Sequence, residues 1–201
     1  MCIVFFLRKF LSDSNKSLTF GKRFYSAVKE IPCKGKRIIT NNQINNHFLM
    51  LDNINLPPYN ISIRQENGEK QIFDILRRKH VSLTPEEWVR QHFVHYLIEH
   101  KGYPMALMQN EVQLRCGQKR LRCDSILYRS DGSARMILEY KAPSVAITQK
   151  VIEQIAAYNI LLHVDYMIVS NGNNHYCFKT DYEQKRFVLL DEIPDYKQLI
   201  P

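Results

Sequence analysis

Asp124, Glu139 and Lys141 are the residues whose types and spacing could do chemistry. Three stretches around them read as strands, at about 111 to 116, 120 to 128 and 134 to 141. Gly117-Gln118-Lys119 joins the first pair and Asp131-Gly132 the second. With Asp131-Gly132 as a two-residue turn, facing residues have numbers summing to 263, which sets Asp124 opposite Glu139. Directly opposed antiparallel residues share one side of the sheet, with Cβ atoms about 4.5 to 5.5 Å apart. The period of 2 along a strand adds Lys141 to that side.

Two carboxylates so placed destabilise a strand pair unless something neutralises them. A hard divalent cation would do so. Mg²⁺ takes one or two protein carboxylates and keeps positions for water and substrate phosphate; Mn²⁺ is expected to substitute. An ion there can polarise a phosphoryl oxygen and lower the pKa of an attacking water. Lys141 would position that water or stabilise developing negative charge, and the chemistry is phosphodiester hydrolysis. The plainer alternative is a set of solvated strand residues, with Lys141 bridging the acids. The apolar neighbours in Met136-Ile137-Leu138-Glu139-Tyr140-Lys141 argue against it, because unpaired charge in a mostly buried strand is costly.

Two helices must position this hairpin. The first is announced by Thr84-Pro85-Glu86-Glu87: an N-cap, a proline at the first helical position, and a capping-box glutamate, Glu87. Val89, Phe93, Tyr96 and Leu97 recur at helical spacing until Gly102 and Pro104 end the element. Glu86 shares the face of Val89 and Phe93. It is the candidate helix acid for a metal site, or else a favourable charge at the helix N-terminus. A second helix is expected from about Ala146 to Leu162, with Ile147, Val151, Gln154, Tyr158 and Leu162 on one face. Gln154 interrupts that apolar stripe, and a buried amide needs partners, whether backbone or a functional site.

Upstream, Asn67-Gly68 predicts a type I′ hairpin between Ile61-Ser-Ile-Arg-Gln and Lys70-Gln-Ile-Phe-Asp-Ile. Downstream, Tyr166-Met-Ile-Val-Ser, Tyr176-Cys-Phe-Lys and Phe187-Val-Leu-Leu supply further strands, with Asn171-Gly172 as a turn. The order helix, three strands, helix, strands predicts an α/β fold with a mixed sheet flanked by helices.

The chain has 201 residues, enough for one domain with a sizeable core. Its net charge of +8 is concentrated at the start: residues 1 to 49 hold nine Lys/Arg against two acids, leaving the remainder at +1. That basic arm reads as a disordered extension, or as a phosphate-binding tail. Sustained periodicity begins only at Met50, which is the expected natural start, so the domain is placed at 50–201. Within it, Arg115, Lys119, Arg120 and Arg122 cluster ahead of Asp124, with Arg120 and Arg122 on its side of the sheet. They read as a phosphate contact or a solvated edge. The five cysteines show no zinc spacing, and no apolar run approaches a membrane span or a signal peptide. His92, His95, His100, His163 and His175 show no ligand spacing and read as structural. A cytoplasmic protein without membrane attachment is expected.

Four segments in order resemble a known family: Thr84-Pro-Glu-Glu-Trp-Val-Arg-Gln, Arg122-Cys-Asp124-Ser, Leu138-Glu139-Tyr-Lys141-Ala-Pro and Gln154-Ile-Ala-Ala-Tyr158. Together they look like the N-terminal nuclease domain of type I restriction enzyme R subunits, a PD-(D/E)xK domain, over about Leu56 to Tyr196. The resemblance implies a restriction-endonuclease-like αβββαβ core and Mg²⁺-dependent cleavage of DNA. It implies Asp124, Glu139 and Lys141 as the catalytic set, with Asp124, Glu139 and Glu86 at the metal. Gln154 and Tyr158 would form the family's Q-x-x-x-Y motif, supporting the site and, with Arg120 and Arg122, contacting DNA. R subunits continue into an ATP-driven motor. This sequence has no G-x-x-x-x-G-K-[ST] loop and too few residues for one, so no use of ATP is expected. That leaves a freestanding restriction-like endonuclease, which could be a homodimer, or a chain docked to another restriction or defence subunit. The other class is a non-catalytic nucleic-acid-binding or partner-docking module that keeps the fold. A pure binding module has no need of opposed acids, which favours the enzyme.

Overall fold

The computed structural model describes residues 54–116 and 119–200. The expectations for residues 1 to 49, the start at Met50 and the connection at 117–118 lie outside that range. The Asn67-Gly68 hairpin forms as expected: β1 (Ile63–Glu66) and β2 (Glu69–Asp74) pair with Glu66 opposite Glu69. Asn67 and Gly68 both take positive φ, as a type I′ turn requires. A third strand, β3 (Lys79–Ser82), completes a small antiparallel sheet.

The helix α1 (Pro85–Lys101) begins and ends where expected, with Thr84 as N-cap and Gly102 as a left-handed C-cap. The Thr84 hydroxyl accepts from the Glu87 N–H at 3.0 Å. The reciprocal arm of the capping box is replaced: the Glu87 carboxylate turns inward to Arg77, Arg90 and Gln91. The reason is burial. Glu87, Arg90, Gln91 and His92 are buried along with Val89, Phe93, Val94 and Leu97, because α1 packs against β6 of the main sheet on one side and β2 of the small sheet on the other. A carboxylate there must meet donors stronger than one N–H.

The main sheet runs β4 (Met108–Cys116), β5 (Lys119–Tyr128), β6 (Ala134–Tyr140), β7 (Tyr166–Ser170), β8 (His175–Asp181) and β9 (Arg186–Leu190) in chain order. All neighbours are antiparallel except β6 and β7, which are parallel. A parallel pair needs a crossover, and α2 (Gln149–Leu162) supplies it, packing on β6 and β7. The fold is therefore mixed α/β, with the expected order α1-β4-β5-β6-α2-β7. A short helix, α3 (Tyr196–Leu199), closes it. Alternation along β6 separates two cores. Met136, Leu138 and Tyr140 join Val89, Phe93 and Leu97 of α1, whereas Ile137 joins Ile152, Ile155 and Ala156 of α2. Among the described residues no helix is long and apolar enough to cross a membrane.

Gly172 sits where the chain after β7 meets α1. It has φ +83, and a Cβ there would lie 2.6 Å from Ile54 Cγ2 and 3.1 Å from Val89 Cγ2. Gly172→Ala should cost about 1–3 kcal/mol, from the left-handed backbone and the clash together. The midpoint of urea unfolding reads this directly; an unchanged midpoint contradicts the packing described.

Two histidines make the fold acid-sensitive. His92 is buried on α1 with Nδ1 donating to the Trp88 carbonyl at 2.9 Å. His175 Nε2 donates to the Asn55 carbonyl, and its Nδ1 meets the Ser170 hydroxyl. Burial pulls both down to about 4. The unfolded chain binds protons near 6.5 and the folded one only near 4, so stability is lost as pH falls across that interval. The loss is on the order of 3 kcal/mol for each histidine. Chemical unfolding at pH 7 and pH 4.5 should show it, and His92→Gln should flatten the dependence.

Candidate nuclease site

The register that brings the acids together is the expected one, reached by a different route. Ser125↔Leu138, Ile126↔Ile137 and Leu127↔Met136 carry the sum of 263, and one more step sets Asp124 opposite Glu139. The turn, however, spans three residues. Arg129 N–H donates to the Ser133 carbonyl at 2.8 Å, and Gly132 takes φ +83. A three-residue loop alone would move the register by one and put the acids on opposite faces. A bulge between Leu127 and Tyr128 restores it.

Asp124 and Glu139 each have fixed partners. Asp124 Oδ2 accepts from the Tyr140 N–H at 2.8 Å, and Oδ1 from Arg90 Nη2 at 3.1 Å. Glu139 Oε1 accepts from Lys141 Nζ at 2.7 Å and from Gln154 Nε2 at 2.9 Å. Lys141 itself is held by its N–H to the Ser170 carbonyl, which continues the β6–β7 ladder past the strand end. Glu139 is 5% exposed. Burial first, and then the charge of Asp124, push its carboxyl up to about 7, with Lys141 opposing. Burial would lower Lys141, but Glu139, Asp124 and Glu86 outweigh it and the net direction is up.

Of the other candidates, Gln154 is brought onto Glu139, and Tyr158 lies beside both. Burial and then Glu139 raise its phenol, and Gln154 is its hydrogen-bond partner. The buried face of α2 is Ile152, Ile155, Ala156 and Asn159, so Gln154 and Tyr158 flank the apolar stripe instead of lying in it. The helix begins at Gln149, three residues later than expected, and this leaves Ile147 as a buried loop residue. Glu86 is half-exposed, with Oε1 4.0 Å from Arg90 Nη2. Burial and then Asp124 raise its carboxyl, which places it at the margin of the cluster. Arg122 is largely exposed and ion-paired with Glu111; the side chain of Arg120 lies outside the described residues.

Arg90 and Glu111 are members that the sequence reading missed. Arg90 stands one helical turn before Val94 and two before Leu97, a spacing that puts it on the buried face. Glu111 has φ +57, and the ladder skips it between Asn110↔Ser125 and Val112↔Cys123, so it stands opposite Asp124. The observed β4–β5 pairs sum to 235, whereas the three-residue connection Gly117-Gln118-Lys119 expected from the sequence sums to 236 and would have set Val112 opposite Asp124.

The donor set suits a small hard cation. Asp124 and Glu139 offer carboxylate oxygens from facing strands, and burial first and then Asp124 raise the Glu139 carboxyl. Among the described residues no three Asp, Glu, His or Cys side chains form a group able to hold a metal by themselves. A cation here would be held by these two carboxylates, with water and phosphate in its remaining positions.

No curated protein matches the sequence. A fragment structure described as an HsdR subunit of a type I restriction enzyme from Vibrio vulnificus YJ016 aligns at 18% identity and a TM-score of 0.43. The alignment covers 58% of this chain and 24% of that one, so the chain spans about a quarter of that relative; at this score the likeness adds no weight. The model for the type I restriction enzyme R protein N terminus matches residues 85–194, a span that holds Glu86, Asp124, Glu139, Lys141, Gln154 and Tyr158. The chain belongs to the family of the type I restriction enzyme R protein N terminus.

Proposed function

We propose that this chain is a divalent-metal-dependent DNA endonuclease whose site is Asp124, Glu139 and Lys141. The observation that carries the reading is the facing pair of acids, with Lys141 and Gln154 both bonded to one of them. Family membership supports a nuclease-like role; the metal, the turnover and the residue roles are the proposal.

Asp124 and Glu139 would hold Mg²⁺ or Mn²⁺, with Glu86 at the margin. When bound, the ion supplies charge stabilisation on the phosphoryl oxygens and a more acidic water. Asp124 is aimed by the Tyr140 N–H and Arg90. Lys141, a cation fixed at both backbone and side chain, would stabilise negative charge developing at the phosphorus. Gln154 holds Glu139 in place, and Tyr158 borders the same group. Arg122 would meet the phosphate backbone from the exposed strand, contributing affinity without sequence preference.

One observation favours a second reading. Asp124 Oδ1 is already engaged by Arg90, as it would be in a module that binds nucleic acid or a partner without turnover. Cleavage decides between them. Plasmid and single-stranded DNA are incubated with the purified protein in Mg²⁺, Mn²⁺ or EDTA. Metal-dependent nicking or linearisation is expected; no cleavage in either metal removes the enzymatic reading.

A further inference from the structure

Arg90 holds three acids with one guanidinium. Its side chain is 3% exposed. Nη1 lies 2.6 Å from Glu87 Oε2 and 2.7 Å from Glu111 Oε1, and Nη2 lies 3.1 Å from Asp124 Oδ1. Its Nε is buried with no partner among the described residues, so the acids and not local satisfaction set its orientation. Glu87 is locked from behind by Arg77 and Gln91. Glu111 is the opposite case. It sits at φ +57 within a strand, a conformation that costs a non-glycine residue about 1–3 kcal/mol. Its carboxylate engages only Arg90 and Arg122 among the described ion pairs. Strain of that kind persists where the surroundings over-determine it, and it concentrates at functional sites.

The geometry points to Arg90 as a positioning residue that competes with a divalent cation for Asp124, and to Glu111 as the anchor that draws the guanidinium away. This rests on the nuclease reading above. A charge-assisted bond from Arg90 occupies an Asp124 oxygen that a cation would need. Glu111, across the strand pair from Asp124, shares the same guanidinium, so its grip sets how readily Asp124 is released. Metal affinity is then tuned from β4, by a residue that is not itself a ligand.

Two charge-conserving variants test this in the full chain, with Mn²⁺ affinity measured by counting free Mn²⁺ in electron paramagnetic resonance. Glu111→Asp keeps the charge but shortens the reach. Arg90 should close on Asp124, and Mn²⁺ binding should weaken roughly tenfold, the size of one charge-assisted hydrogen bond. Arg90→Lys cannot span three acids, so Mn²⁺ binding should tighten by a similar factor. Cleavage at saturating Mn²⁺ should nonetheless slow, because Asp124 has lost its fixed orientation. Opposite signs in the two variants are the signature. A merely structural Arg90 would lower the melting temperature in both and move Mn²⁺ affinity the same way or not at all, which overturns the inference. Should Arg90→Lys fail to fold, an unchanged affinity in Glu111→Asp overturns it alone. Wild-type binding and cleavage with unaltered affinity in both variants defeats only this inference. Mn²⁺ binding that is identical in wild type and Asp124→Asn defeats the nuclease reading with it.

Discussion

Asp124→Ala should lower metal-dependent DNA cleavage by roughly 10³-fold or more while leaving the protein folded. The functional loss follows from position: in the proposed site Asp124 and Glu139, on facing strands, are the two oxygen donors, and Glu139 alone would keep only half of them. The structural cost is smaller, for reasons visible in its partners. Arg90 keeps Glu87 and Glu111 after the substitution, and the repulsion between Asp124 and buried Glu139 disappears. The Tyr140 N–H loses its acceptor, a loss of about 1–2 kcal/mol. Lys141→Ala should act in the same direction, by roughly 10²–10³-fold, since it removes one stabilising cation and no ligand. Steady-state nicking of supercoiled plasmid, beside thermal unfolding of the same preparations, separates the two effects. A variant that is folded and still fully active contradicts the assignment.

Glu87→Ala should be the most destabilising single substitution near the site, by about 3–5 kcal/mol. Glu87 looks like a helix cap in the sequence and is in fact the hub of a buried charge network. Arg77 Nη2 reaches it at 3.1 Å, Arg90 Nη1 at 2.6 Å and Gln91 Nε2 at 2.7 Å. Removing it leaves a nearly buried guanidinium with fewer acids and strands a fully buried amide, whose Oε1 already has no partner among the described residues. The network continues through Asp74, which accepts from Arg77 and from Asn110, and Asn110 accepts from Ser125 beside Asp124. Burial would raise Asp74, but these donors outweigh it and hold it below the ordinary range. The small sheet is thereby tied to the strands that carry the site. Urea unfolding of Glu87→Ala measures the cost, and a change below about 1 kcal/mol would show that Glu87 is only a cap.

How much of this could be read in the sequence depended on the range of the interaction. Local signals were sufficient for α1, because Thr84, Pro85 and Gly102 act within a few residues of themselves. The Asn67-Gly68 turn was equally local. The Asp124–Glu139 pairing was legible through register, although the loop and bulge that produce it cancel one another and neither was foreseen. β3 was missed because Lys79-His80-Val81-Ser82 is short and lacks clean alternation; it forms by pairing with β2. Arg90 and the inward turn of Glu87 were missed for a common reason. α1 is enclosed between two sheets, and a periodicity reading assumes one buried face. Gln154 was recognised as unusual, but its acceptor, Glu139, lies on another element, and the family resemblance implied only that Gln154 supports the site.

Crystals grown with Mn²⁺ and examined by anomalous scattering test the central claim most directly. The expected map holds a single strong Mn²⁺ peak between Asp124 and Glu139, within about 2 Å of an oxygen from each, the range for direct coordination by hard cations. A saturated crystal with no ion at that position, or with its ion bound elsewhere while Asp124 stays paired only with Arg90 and the Tyr140 N–H, would contradict it.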